Sequence, residues 1–156
     1  MFSISTRDDH LFTMTRMRER LETAVAADVL IADDNRDTRE MYALYLSMLG
    51  YHVALAADGG QAVRVARRHR PDLIVMDLDM PGMDGWAAIR ELQSDARTAS
   101  IPVIVLTGHD FKTQLKDQAI ALGAVSYLMK PCFPEQLERE INARLAVQRA
   151  RMTAAL

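Results

Sequence analysis

From about Asp28 onward the chain alternates short β-branched runs with longer segments of helical period, and this alternation limits the fold more than any other feature. Five runs read as strands: VLIA (29–32), HVALA (52–56), LIVM (73–76), VIVL (103–106) and VSYLM (125–129). Such runs alternating with helical segments are the pattern of a parallel sheet covered on both faces. The expected fold class is therefore α/β, a doubly wound five-stranded parallel sheet with helices on both faces. Met41, Leu44, Tyr45 and Met48 recur at helical spacing and mark the apolar positions of a first helix. Phe111, Leu115, Ala119 and Leu122 do the same for a fourth, and Leu137, Ile141 and Leu145 for the last. Gly50 and Gly123 follow the first and fourth helices, where a left-handed residue is wanted.

Residues 1–27 stand outside this alternation. Met14, Met17, Leu21 and Val25 can share one face of a helix, with Arg16, Arg18, Glu19, Arg20 and Glu22 mostly elsewhere, which suggests a short amphipathic extension. A frayed tail, or a reading frame that truly starts at Met14 or Met17, is the alternative. The expected organisation is thus an extension over 1–27, one domain over 28–150 and a tail over 151–156. A net charge of −2 gives no basic footprint, so direct nucleic-acid binding is not expected. No apolar run approaches the length of a membrane span, and the acidic N-terminus does not resemble an export signal. A single cysteine, Cys132, fits a reducing cytoplasm and reads as a small buried hydrophobe rather than a redox group.

Four of the five strands end in a polar residue capable of chemistry: Asp33 and Asp34 after the first, Asp77 after the third, Thr107 after the fourth and Lys130 after the fifth. Singly, each has an ordinary explanation as a cap or a solvated turn. In an open parallel sheet, however, the carboxyl ends of the strands form one edge, where ligands bind. Three carboxylates gathered there repel one another unless a cation sits among them, and oxygen-only ligands favour a hard ion such as Mg2+ or its substitute Mn2+. A phosphate would then lie between metal, Lys130 and Thr107, and an Asp carboxylate beside it is a competent nucleophile for phosphoryl transfer.

These residues carry a family likeness. "VLIADDN", "LIVMDLDMPGMDG", "VIVLTG" and "YLMKP" resemble, in order, the acidic-pair, phosphoacceptor, switch-threonine and lysine strands of the receiver domain of bacterial response regulators. The resemblance runs from Val29 to about Arg149 and implies a flavodoxin-like strand order of 2-1-3-4-5. It implies that Asp77 is the phosphoacceptor and that Asp33, Asp34 and the main-chain carbonyl of Asp79 join Asp77 in holding Mg2+. Lys130 would contact the phosphoryl group, Thr107 would move to bond it, and Tyr127 would change between outward and inward positions. The Lys130–Pro131 bond would be cis. The implied partners are a sensor histidine kinase or a histidine phosphotransfer protein, and a downstream protein target. The target would meet the fourth helix, fifth strand and fifth helix, roughly Asp110 to Leu145, a surface that would also serve a homodimer.

Some positions depart from the family pattern. Asp79 places an extra carboxylate two residues beyond the acceptor, where it would repel an attacking hydroxide. His109 flanks the same approach and reads as a solvated loop residue. In "KPCFPEQL", Phe133 stands where an Asp or Ser cap usually opens the last helix, although Pro134 suits the first helical position. Folding back onto the core is the expected use of Phe133, an exposed contact the alternative. Trp86 lies close enough to Asp77 in sequence to report on the site. Two rival functions remain: a receiver-like docking module that is never phosphorylated, and a phosphohydrolase using the DxD pair Asp77 and Asp79 as nucleophile and acid. The chain stops about a turn beyond the last helix, so a single-domain receiver or a fragment of something larger is expected.

Overall fold

The computed structural model describes residues 26–108 and 113–156. The apolar calls on Met14, Met17, Leu21, Val25 and Phe111, and the reading of His109, lie outside the described residues. Five parallel strands, β1 (Asp28–Ala32), β2 (His52–Ala56), β3 (Leu73–Met76), β4 (Val103–Thr107) and β5 (Ser126–Met129), form one sheet in the order β2-β1-β3-β4-β5. The helices between and after them are α1 (Arg36–Met48), α2 (Gly59–His69), α3 (Gly85–Ser94), α4 (Thr113–Leu122) and α5 (Pro134–Ala154). The flavodoxin-like order is therefore as expected. Three strand boundaries fall one residue from the sequence reading, and α5 continues through residues 151–154, which that reading sets apart as a tail.

The sheet is covered on both faces. α1 and α5 pack Tyr42, Leu46, Leu137, Ile141 and Leu145 against Val29, Ile31, Val75, Ile104 and Leu106. α2, α3 and α4 pack Ala62, Val63, Ile89, Leu92 and Ala119 against Leu30, Ile74, Met76 and Val105. Alternate residues of each central strand thus enter opposite layers, which is why, beyond the exposed Asp28 that opens β1, those strands carry no polar residue before their carboxyl ends. Ala27 also packs in the α1/α5 layer and bonds His52 through its carbonyl, so it belongs to the fold rather than to the extension.

The expected apolar face of α1 needs correction. Met41, Leu44 and Met48 are exposed, and Tyr45 is only partly buried; the core face is Tyr42, Leu46 and Leu49. Both sets have helical spacing, so periodicity alone does not say which one meets the sheet. Tyr42 decides it, because its hydroxyl donates to the Cys132 carbonyl at 2.6 Å and ties α1 to the loop before α5. Phe133 is likewise exposed, at 77%, and does not fold back onto the core. It holds the N-cap position of α5 with no side-chain cap bond, while Pro134 opens the helix as expected. The other caps are conventional: Asn35, Asp58 and Asp84 each accept a backbone N–H from the first turn of α1, α2 and α3. Gly50 and Gly123 have positive φ, as the helix ends require.

The turn between β3 and α3 is held by a close backbone approach. The Gly85 N–H donates to the Leu78 carbonyl at 3.1 Å, and a Cβ at Gly85 would lie 2.1 Å from the Asp77 carbonyl oxygen. Gly85→Ala forces β3 and α3 apart and should lower stability by about 3 kcal/mol, read as a lower urea midpoint at unchanged slope. Tyr42 supplies a second test. Burial pushes its phenol up to about 12, so between about pH 10 and that value the folded chain keeps a proton that the unfolded chain releases, and stability falls as pH rises. Tyr42→Phe should cost about 1 kcal/mol at neutral pH by leaving the Cys132 carbonyl unpaired, and thermal melts at alkaline pH should show a shallower decline than wild type.

Candidate functional site

The strand order brings the carboxyl ends of β1 and β3 side by side, so Asp33 and Asp77 emerge next to each other although far apart in sequence. Both are buried, at 3% and 5% exposure. Lys130, leaving β5, reaches back across β4 and places its Nζ 2.6 Å from Asp33 Oδ2 and 3.0 Å from Asp77 Oδ2. Burial alone would lower the Lys130 pKa, but the bonds to Asp33 and Asp77 outweigh it and hold the ammonium above its ordinary value. Lys130 is therefore charged at neutral pH. Its backbone is fixed as well: the Lys130 N–H donates to the Thr107 carbonyl at 2.9 Å, and the Lys130–Pro131 bond is cis, as expected.

Each buried carboxylate has its second oxygen engaged by the backbone. Asp33 Oδ1 accepts from the Asn35 N–H at 2.8 Å, and Asp77 Oδ1 from the Asp79 N–H at 3.1 Å. Asp34, adjacent but exposed, brings a third carboxylate: ligand oxygens of Asp33, Asp34 and Asp77 lie within 4.8 Å of one another. An all-oxygen set of this size suits a hard divalent cation. Asp79 itself is exposed, with its backbone turned over Asp77.

Thr107 ends β4 fully buried, and its hydroxyl has no hydrogen-bond partner among the described residues. Tyr127, opposite Val105 in the β4–β5 register, is partly buried and packs against the layer of α2, α3 and α4. Its hydroxyl is also buried without a partner among the described residues. Asp33, Asp34, Asp77 and Lys130 thus form one cluster with Thr107 beside it, whereas Tyr127 stands apart on β5, three residues before Lys130. Cys132 is buried, and burial raises its thiol pKa, in keeping with a hydrophobe's role.

Two contributors were not read from the sequence. Arg39 donates through Nη1 to the Asp33 carbonyl at 2.6 Å, clamping the β1–α1 turn. It sits in the charge run Arg36, Asp37, Arg39, Glu40, which looks like an ordinary solvated face; only the spacing of one helical turn beyond the Asn35 cap singles it out. Gly85 is the other, visible beforehand only as the last glycine of MPGMDG.

The chain matches the response regulator receiver domain over residues 29–142. It is 43% identical to protein PilH of Pseudomonas aeruginosa over 122 residues, which is 77% of this chain and 98% of that one. It is 36% identical to the DNA-binding response regulator MtrA of Mycobacterium tuberculosis over 134 residues, 85% of this chain but about half, 53%, of MtrA. The receiver domain of the sensor histidine kinase PA1611 from Pseudomonas aeruginosa, with a magnesium ion coordinated in its active site cleft, superposes with a TM-score of 0.71 at 33% identity, covering 78% of this chain and 99% of that one. Sheet order, the acidic edge with its lysine, and a family match across most of the chain lead to one conclusion: this protein belongs to the response regulator receiver family of two-component signalling.

Proposed function

We infer that the protein is a phosphorylation-driven switch in which Asp77 accepts a phosphoryl group from the phosphohistidine of a sensor kinase or a histidine phosphotransfer protein. The observation that carries this reading is a buried carboxylate at the end of the central strand β3, 3.0 Å from the ammonium of Lys130. One Asp77 oxygen attacks phosphorus, a P–O bond forms, and the donor P–N bond breaks with its electron pair returning to the imidazole. The strand fixes Asp77, and the Asp79 N–H holds the second carboxylate oxygen, so the nucleophile is oriented before the donor arrives.

The carboxylates of Asp33, Asp34 and Asp77, with the main-chain carbonyl of Asp79, would hold Mg2+, or Mn2+ in its place. The ion would neutralise charge on the phosphoryl oxygens. Lys130 now bridges Asp33 and Asp77; on phosphorylation its ammonium would pass to a phosphoryl oxygen. Thr107, whose buried hydroxyl lacks a partner among the described residues, would donate to another. Tyr127 would follow Thr107 as the aromatic of the switch. The altered surface of α4, β5 and α5 would then select a downstream protein or a second copy of the chain.

Incubation with acetyl phosphate and Mg2+, followed by intact mass and Trp86 fluorescence, tests this. The expected result is a gain of one phosphoryl group that requires Mg2+ and is abolished by Asp77→Asn. No gain at saturating donor would favour a docking module instead, and steady release of phosphate would favour the phosphohydrolase.

Asp79 sets a further expectation. Its exposed carboxylate, two residues from the acceptor, repels an incoming hydroxide, so Asp79→Asn should speed loss of the phosphoryl group roughly threefold, in line with charge interactions near the surface. Phosphate release from the pre-phosphorylated protein measures this, and an unchanged rate would remove Asp79 from the account.

A further inference from the structure

Asp33 is held through its backbone and through both carboxylate oxygens. Its N–H donates to the Ala56 carbonyl at 3.1 Å, Oδ1 accepts from the Asn35 N–H at 2.8 Å, and Oδ2 meets the Lys130 ammonium at 2.6 Å. Its main-chain carbonyl accepts from Arg39 Nη1 at 2.6 Å. The neighbouring Asp34 carboxylate is exposed, and among the described residues no hydrogen bond holds it, although one of its oxygens lies within 4.8 Å of oxygens of Asp33 and Asp77.

The direction of the Asp34 carboxylate is therefore set by its backbone. The carbonyl that Arg39 grips belongs to the peptide linking Asp33 to Asp34, so this bond fixes the plane from which the Asp34 side chain leaves. A guanidinium suits the task, because a planar and always charged donor makes a stronger bond to a carbonyl than a neutral one. Among the described residues Arg39 makes no ion pair, whereas its neighbour Arg36 is taken up by Glu40 at 2.7 Å. The base of the Arg39 arm is tied to the same segment: the Thr38 N–H donates to Asn35 Oδ1 and the Arg39 N–H to the Asn35 carbonyl, each at 3.0 Å.

We propose that Arg39 is a positioning residue for the metal site: by holding the Asp33–Asp34 peptide it keeps the Asp34 carboxylate converged with Asp33 and Asp77, and so sets the affinity for a divalent cation. This rests on the reading of the acidic edge as an Mg2+ site. Hydrogen-bonding groups behind metal ligands are typically worth about ten- to hundredfold in affinity. Positioning and charge act with opposite sign. A cation beside the site repels the metal, so if Arg39 acted by charge alone its removal would tighten binding by roughly twofold.

Titration of the metal-free full chain with Mn2+, the free ion read by its electron paramagnetic resonance signal, tests this. Arg39→Gln keeps a good helix former in α1 and should weaken binding about tenfold. In an Asp34→Asn background the same change should cost less than about threefold, because the carboxylate that Arg39 places is already gone. A general loss of structure would cost the same in both backgrounds. If circular dichroism shows Arg39→Gln unfolded, Arg39→Lys, which keeps the charge but not the planar fork, replaces it and should weaken binding about threefold. Affinity that is unchanged or tighter in the folded variant, or an equal loss with and without Asp34, would overturn this proposal alone. A wild type that binds no Mn2+, or binds it as tightly after Asp34→Asn and Asp77→Asn, would overturn it together with the metal-site reading beneath it.

Discussion

Two carboxylates, those of Asp33 and Asp77, are buried side by side at the carboxyl edge of the sheet, and much of the structure answers to the charge they bring. Buried like charges are tolerated only with a cation and hydrogen bonds to share them. Lys130 provides the cation from the far side of β4, and the backbone N–H groups of Asn35 and Asp79 take the remaining oxygens. The order β2-β1-β3-β4-β5 is what puts these groups within reach, since β1 and β3 must be neighbours and β5 must end on the same edge. Tertiary structure here is inseparable from electrostatics.

The loops show the same dependence. Arg39 grips the Asp33 carbonyl from α1, and the Gly85 backbone sits against that of Asp77 and Leu78 at the start of α3. Gly59, opening α2, makes a comparable approach, its N–H donating to the Met83 carbonyl at 2.9 Å where a Cβ would lie 2.4 Å from the same oxygen. Three helix N-termini are thereby anchored around the acidic edge, so their positions are set by backbone contact rather than by side-chain packing alone. Such anchoring makes the edge rigid, a requirement for any chemistry that depends on a fixed nucleophile.

Much of this was legible in the sequence for identifiable reasons. Buried parallel strands need uninterrupted apolar runs, so LIVM and VIVL announce themselves, and the first polar residue after each run marks the functional edge. The core face of α1 was not legible, because Met41, Leu44 and Met48 share the period of Tyr42, Leu46 and Leu49, and nothing in the periodicity distinguishes a face against the sheet from a face left open. Phe133 misled as well: an aromatic residue in place of a polar cap is expected to fold onto the core, whereas it stays exposed at the N-cap position of α5, ahead of Pro134. Arg39 and Gly85 act through backbone atoms of their neighbours, and contacts of that kind leave no pattern of side-chain types to read.

Two buried hydroxyls that lack a partner among the described residues, on Thr107 of β4 and Tyr127 of β5, bear on how the inferred switch would run. A buried hydroxyl without a partner costs about 1–3 kcal/mol, so for Thr107 any state that supplies an acceptor is favoured by that order of energy. A phosphoryl oxygen on Asp77 would be such an acceptor, drawing the end of β4 toward β3 and opening space along β5 beside Tyr127. A bias of about 1.4 kcal/mol changes a two-state ratio tenfold, so in the inferred switch a new bond to the Thr107 hydroxyl would be enough to shift the population without any large rearrangement of the sheet. On this reading, the conformational signal begins as a local repair of hydrogen bonding at the edge where the charge was already concentrated.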